Sequence, residues 1–218
     1  VMRFLIGDLV EAVAVFVLKS AGVTVTKEQE QCSLELAGET INGTLDIVLE
    51  DMDCEKVWDS KSASPWSYEN KFSGRGGYDA IKDDDAFGYI MQGYLYSESQ
   101  DKPFGGWIAI NKSSGEWDFV AAPNDQEEDR KEYLKEAERR VKHLTEGGKF
   151  KVPFEATDEA YTEKGVRIET GNKLMPKTCS FCSFKEKCWK GATLHPKVTS
   201  RAKFKPHVWY TKLVKKEL

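Results

Sequence analysis

The order of apolar and polar positions predicts a helix, three strands, a second helix, a hairpin and a third helix. "FLIGDLVEAVAVFVLKSAG", from Phe4 to Gly22, carries Asp8 and Glu11 inside an otherwise apolar run and predicts a buried amphipathic helix that ends near Gly22. "TVTKEQEQCSLEL" predicts an edge strand, and "GTLDIVLE" and "KVWDSKS" two more strands around the polar turn "DMDC". The glycine-rich loop "KFSGRGGYD" follows, then "DDDAFGYIMQGYLYSES", a predicted helix whose acidic start suits the helix dipole. "FGGWIAINKSSGEWDFVAA" alternates about "KSSG" and predicts a hairpin. The next helix is predicted from Asp125 to Glu146, with Asn124 as N-cap, Glu127 at N3 and Gly147 as the stop. Its apolar stripe is Leu134, Ala137, Val141 and Leu144. From Phe150 to Pro176 the periodicity is weak, and an irregular segment wrapping the surface is expected. The fold class is therefore α/β, with a mixed or antiparallel central sheet flanked by helices.

Composition narrows this. A chain of 218 residues, 40% hydrophobic and 31% charged, fits a globular protein of one main domain. No window predicts a membrane span, and Asp8 and Glu11 argue against an export signal, so a cytoplasmic, reducing location is expected rather than secretion. The charge is uneven. From Lys173 onward there are twelve Lys or Arg against two Glu, a balance of +10, which leaves −14 for residues 1–172. A core of 1–172 and a basic segment of 173–218 packed on it are expected. A basic tail on an acidic body suits a nucleic-acid partner, and suits a plain solvated tail as well.

The second and third strands hold the candidate chemistry. Alternation puts Val57, Asp59 and Lys61 on one face. A hairpin turn centred between Met52 and Asp53 pairs Glu50 with Glu55, Val48 with Val57, Asp46 with Asp59 and Thr44 with Lys61. Opposed carboxylates repel across a sheet, and a hard divalent cation between them removes the repulsion. Lys61 would then lie beside that cation, to position or help deprotonate a water or to offset phosphate charge. A salt-bridged surface cluster is the other reading of the same residues. Lys71 and Arg75, in the glycine-rich loop, are candidate phosphate contacts.

Taken in order, Glu11, "GTLD" (Gly43 to Asp46), "DSK" (Asp59 to Lys61), "QGYLY" (Gln92 to Tyr96) and "CSFCSFKEKC" resemble the PD-(D/E)XK nuclease superfamily. The chain looks most like its RecB-type exonucleases, including CRISPR-associated and phage members and the mitochondrial genome-maintenance exonuclease. The resemblance implies a restriction-endonuclease-like core in a prokaryotic or phage-infected cell. It implies Mg²⁺ or Mn²⁺ held by Asp46, Asp59, the Ser60 carbonyl and Glu11, with Lys61 as catalytic lysine and Gln92 and Tyr96 positioning DNA or supporting the strands. The implied activity is metal-dependent exonucleolytic hydrolysis of DNA, on single strands or free ends, in recombination, repair or replication, with proteins of those processes as partners. A structure-specific endonuclease and a non-catalytic DNA-binding metal protein are the alternatives.

Cys179, Cys182 and Cys188 have metal-ligand spacing, and His195 follows at a distance that would close a Cys3His zinc site. The resemblance offers a [4Fe–4S] cluster instead, but places its fourth cysteine before the first catalytic helix, where this chain has none; Cys32 and Cys54 come later. Lys185, Lys187 and Lys190 are candidate DNA-backbone contacts beside this cluster.

Overall fold

The computed structural model describes residues 2–51, 54–74, 76–147 and 154–217. The chain divides into two compact units, Val1–Gly148 and Lys149–Leu218. The boundary that charge suggests, at 172/173, falls inside a strand of the second unit.

The first unit runs α1 (Met2–Ser20), β1 (Val25–Leu36), β2 (Glu39–Asp51), β3 (Cys54–Ala63), a short turn α2 (Pro65–Ser67) that widens into a π-turn at Tyr68–Phe72, α3 (Tyr78–Asp83), α4 (Tyr89–Gln100), β4 (Phe104–Asn111), β5 (Trp117–Ala121) and α5 (Glu127–Thr145). Its five strands lie in the order β1-β2-β3-β4-β5. β3 and β4 are parallel and every other neighbouring pair is antiparallel. A parallel pair needs a crossover, and the segment holding α2, α3 and α4 provides it. The sheet is thus mixed, as the pattern predicts.

Both sheet faces are covered. Ile47, Leu49, Ile108 and Ile110 pack with Ala14 and Leu18 of α1 on one side. On the other, Ala63, Phe104, Trp107, Ala109 and Val120 pack with Phe72, Tyr78, Ile81, Ile90 and Tyr94. β4, between β3 and β5, is buried at every position.

Three helix expectations need correcting. α1 buries Ala14 and Leu18, but Leu9 (62% exposed) and Phe16 (70%) face solvent, so it is apolar on two sides and covered on one. α4 begins at Tyr89 rather than in "DDD", because Asp85 reaches forward to accept the N–H groups of Tyr89 (2.7 Å) and Ile90 (3.0 Å). α5 is capped at Gln126 without a side-chain cap, so Asn124 does not serve, and the Gln126 amide instead donates to the Phe104 carbonyl at 2.7 Å. Leu144, at 61% exposure, falls off the stripe.

The second unit is a four-stranded sheet in the order β6-β7-β9-β8, from β6 (Thr157–Glu163), β7 (Val166–Leu174), β8 (Thr193–Pro196) and β9 (His207–Lys212). Short helices α6 (Lys177–Phe181) and α7 (Lys185–Cys188) separate β7 from β8. β6 and β7 form a hairpin where an irregular segment is expected. The reason lies in their centre, which is polar. Glu159 and Asn172 are 1% and 0% exposed. The Glu159 carboxylate accepts from Asn172 Nδ2 (2.8 Å), the Tyr210 hydroxyl (2.8 Å), the Thr199 N–H (3.2 Å) and the Thr199 hydroxyl (3.1 Å). Burial works against its charge, and these donors outweigh burial and hold its pKa below the ordinary value. A buried acid ringed by donors leaves no hydrophobic period to read. Among the described residues no helix is long and apolar enough to cross a membrane.

Candidate active site

The β2–β3 hairpin pairs Glu50 with Glu55 and Val48 with Val57, the expected register. The paired run then stops at Ile47–Trp58, one step short of Asp46 and Asp59. Asp46 does not stand as a ladder partner. Its carboxylate crosses to accept the Ser60 N–H at 2.8 Å. Leu45 and Val48 pack in one cluster with Val57, so the alternation of β2 slips by one residue at this level. β1 slips there too. Its pairs Glu28–Ile47 and Glu30–Leu45 place Gln29 across from Asp46, and Gln29 is left-handed at φ 48°. Thr44, expected opposite Lys61, accepts from the Gln31 amide at 2.9 Å instead.

Asp59 and Lys61 do share a face, and Asp59 is 2% exposed. Lys61 Nζ forms an ion pair with Asp59 Oδ2 at 2.5 Å. It also donates to Gln92 Oε1 at 3.2 Å and lies 4.9 Å from the centre of the Tyr89 ring. The Gln92 amide donates in turn to the Tyr96 hydroxyl at 3.4 Å. Tyr89, Gln92 and Tyr96 recur three and four residues apart, so one face of α4 presents all three. Glu11, on α1, accepts from the Gln29 amide at 2.6 Å.

The electrostatics are those of crowded acids. Burial pushes the Asp59 carboxyl up to about 7; Lys61 pulls it down, while Asp46 and Glu11 push it further up. Burial also raises Asp46, against the pull of the Ser60 N–H and Lys61. Glu11 is raised by burial and then by Asp46. Burial opposes the charge on Lys61, but Asp59 at contact distance, together with Asp46, outweighs it, and the lysine pKa lies above its ordinary value. Asp59 Oδ1 is buried without a hydrogen-bond partner. A buried, unpartnered carboxylate oxygen among acids that resist ionising is a place where a cation lowers the energy.

Among the described residues no group of three or more His, Cys, Asp or Glu side chains stands ready to hold a metal. The consequence differs between the two candidate centres. Mg²⁺ takes one or two carboxylates and completes its shell with waters and a substrate phosphate, so a site for it does not require a group of three. A structural zinc needs four protein ligands. Cys179 is buried, Cys182 and Cys188 are exposed, and His195 directs Nδ1 at the Pro196 carbonyl, 2.8 Å away. Cys182 Sγ accepts the Phe184 N–H at 3.4 Å. Among the described residues these four side chains are not gathered into such a group. Cys32 packs beside Leu45, Val48 and Val57, and Cys54 is exposed.

Lys71 has a different task from the phosphate contact expected of it. It is 8% exposed, donates to the Asp84 carbonyl and forms an ion pair with the Asp84 carboxylate at 3.0 Å, which fixes the glycine-rich loop. Arg75 lies outside the described residues. Lys187 and Lys190 are exposed, and the ammonium groups of Lys185 and Lys187 lie over the Trp209 and Phe184 rings, each at 5.4 Å. Sequence reasoning missed Gln29 and Tyr89. Gln29 is one amide among many polar residues in β1, and its signal is a backbone angle. Tyr89 could have been found three residues before Gln92.

No protein-family model matches this chain, and no curated protein matches it. Among solved structures it is similar to that of SSO0001, at 15% identity and a TM-score of 0.36, over 65% of this chain and 61% of that one. The chain therefore spans less than two thirds of that structure.

Proposed function

We propose that this protein is a Mg²⁺- or Mn²⁺-dependent deoxyribonuclease of the PD-(D/E)XK type, with a restriction-endonuclease-like core, acting as an exonuclease on single-stranded DNA or free ends. The observation that carries the reading is the pairing of buried Asp59, one oxygen unpartnered, with Lys61 at 2.5 Å beside Asp46. A surface salt-bridge cluster would not bury its acid to 2% exposure.

In this reading Asp46 and Asp59, with the Ser60 carbonyl and Glu11, would hold the cation. The cation, when bound, supplies a water of lowered pKa and stabilises the leaving oxygen. Lys61 stays protonated, because its pKa is raised, so it serves as a fixed positive charge for the phosphate rather than as a base. Asp59, Gln92 and Tyr89 hold that charge in place. The water oxygen bonds to phosphorus and gives up a proton to solvent, the bond from phosphorus to the leaving sugar oxygen breaks, and that oxygen takes a proton from solvent water. Lys185, Lys187 and Lys190 are proposed backbone contacts, and recombination or replication proteins remain the proposed partners.

End-labelled single-stranded DNA incubated with Mg²⁺ or Mn²⁺ tests this. Stepwise shortening that needs the metal, and that Asp59→Asn and Lys61→Ala abolish, is expected. Parent-level digestion by both variants would remove the nuclease reading. Cutting of closed single-stranded circles would replace exonuclease by endonuclease.

A further inference from the structure

The short connection between α3 and α4 holds Phe87, a large aromatic that is 48% exposed. Its ring stacks on Tyr89, with centroids 5.7 Å apart and planes at 27°. Tyr89 is anchored from behind by Phe72, at 6.3 Å, and Phe72 is 3% exposed. The ammonium of Lys61 lies 4.9 Å from the Tyr89 centroid. A line of rings thus runs from the core to the surface, and the site's lysine touches the middle one.

We propose that Phe87 is a stacking platform for a nucleobase of the DNA strand engaged at Lys61, and so a substrate-positioning residue that selects unpaired bases. The proposal rests on the nuclease reading. Three features argue for a base as the occupant. The ring is supported by Tyr89, so little freedom is lost when something stacks on it. Asp83 at the end of α3 and Asp84 and Asp85 in the connection precede it, and these acids disfavour a phosphate at that spot while leaving a neutral base unaffected. The phosphate then has its own place one ring away, at Lys61. Stacking offers a face to any base, so the platform tolerates sequence, but a duplex hides its base faces and cannot use it. A preference for single strands or frayed ends follows.

The test is binding and cleavage of a single-stranded oligonucleotide carrying 2-aminopurine near its end, by the parent, Phe87→Ala and Phe87→Trp, with binding read in EDTA. Phe87→Ala is expected to raise Kd and KM about tenfold, a typical value for one base–aromatic stack, and to lose the 2-aminopurine quench, with kcat within about twofold. Phe87→Trp is expected to restore all three. On an abasic oligonucleotide the parent and Phe87→Ala should bind equally. Parent-like binding by Phe87→Ala, or an equal loss on the abasic strand, overturns the platform and leaves the nuclease reading standing. A parent that neither binds nor cuts single-stranded DNA overturns both.

Discussion

Tyr96 lies so close to Gly43 that a β-carbon added to the glycine would stand 2.8 Å from Tyr96 Cε1. Gly43 opens the "GTLD" segment of β2, and Tyr96 closes the "QGYLY" segment of α4. The two segments are therefore interlocked: the strand needs a glycine because the helix lays a ring on it. Gly43→Ala should displace Tyr96, weaken its hydroxyl's bond to Gln92, and loosen the Gln92 contact that holds Lys61. The expected result is a loss of about 1–3 kcal/mol in stability and at least a tenfold fall in nuclease rate. Chemical denaturation beside a cleavage assay checks it, and an unchanged rate would show that Tyr96 does not support Lys61.

Much of this site was legible because it obeys local rules. Alternation placed Asp59 with Lys61, helical spacing placed Gln92 with Tyr96, and the turn set the register as far as Val48–Val57. The rest depended on departures from those rules. Asp46 leaves the ladder to take the Ser60 N–H, and Gln29 turns left-handed across from it. Neither break has a signature in residue type. The second unit was illegible for another reason. Its centre is Glu159 and Asn172, so a pattern search for buried apolar faces reads β6 and β7 as loop.

Asp59 gives the site a pH dependence whose sign follows from its raised pKa of about 7. The folded metal-free state holds this proton where the unfolded chain has already released it. This group's contribution to stability is therefore complete at low pH and declines as pH rises from about 4 to about 7. A cation must displace the same proton, so its apparent affinity should rise with pH and level off above 7. Thermal melts at pH 6 and pH 8, with and without Mn²⁺, should show the larger metal-induced shift at pH 8, and Asp59→Asn should remove the difference. Equal shifts in the parent would contradict a proton on Asp59.

The network around Glu159 predicts a vulnerable point in the second unit. Glu159→Gln keeps the shape but turns an amide NH₂ toward groups that are themselves donors: the Asn172 amide or the Thr199 and Tyr210 groups. At least one buried donor pair is left facing another. The expected cost is about 2–4 kcal/mol, read as faster hydrogen exchange in β6, β7 and β9. Protection at the parent level would mean that the network tolerates a neutral side chain.

Gln29 allows the amide's role at Glu11 to be separated from the backbone's. Its left-handed conformation costs a residue with a β-carbon about 1 kcal/mol, and glycine avoids that cost. Glycine's greater freedom in the unfolded chain returns about 0.5–1 kcal/mol, so Gln29→Gly should leave stability close to the parent's. It removes the donor 2.6 Å from Glu11, one of the interactions that hold the Glu11 pKa down against burial and Asp46. Glu11 then ionises less readily and serves a cation less well. The expected result is an unchanged melting temperature with a severalfold rise in the Mn²⁺ concentration needed for half-maximal cleavage. Gln29→Ala keeps the backbone strain that the parent already carries and also loses the amide, so it should show the same metal defect without the change of backbone. If both variants need no more metal than the parent, Gln29 shapes the strand and Glu11 takes no part in holding the cation.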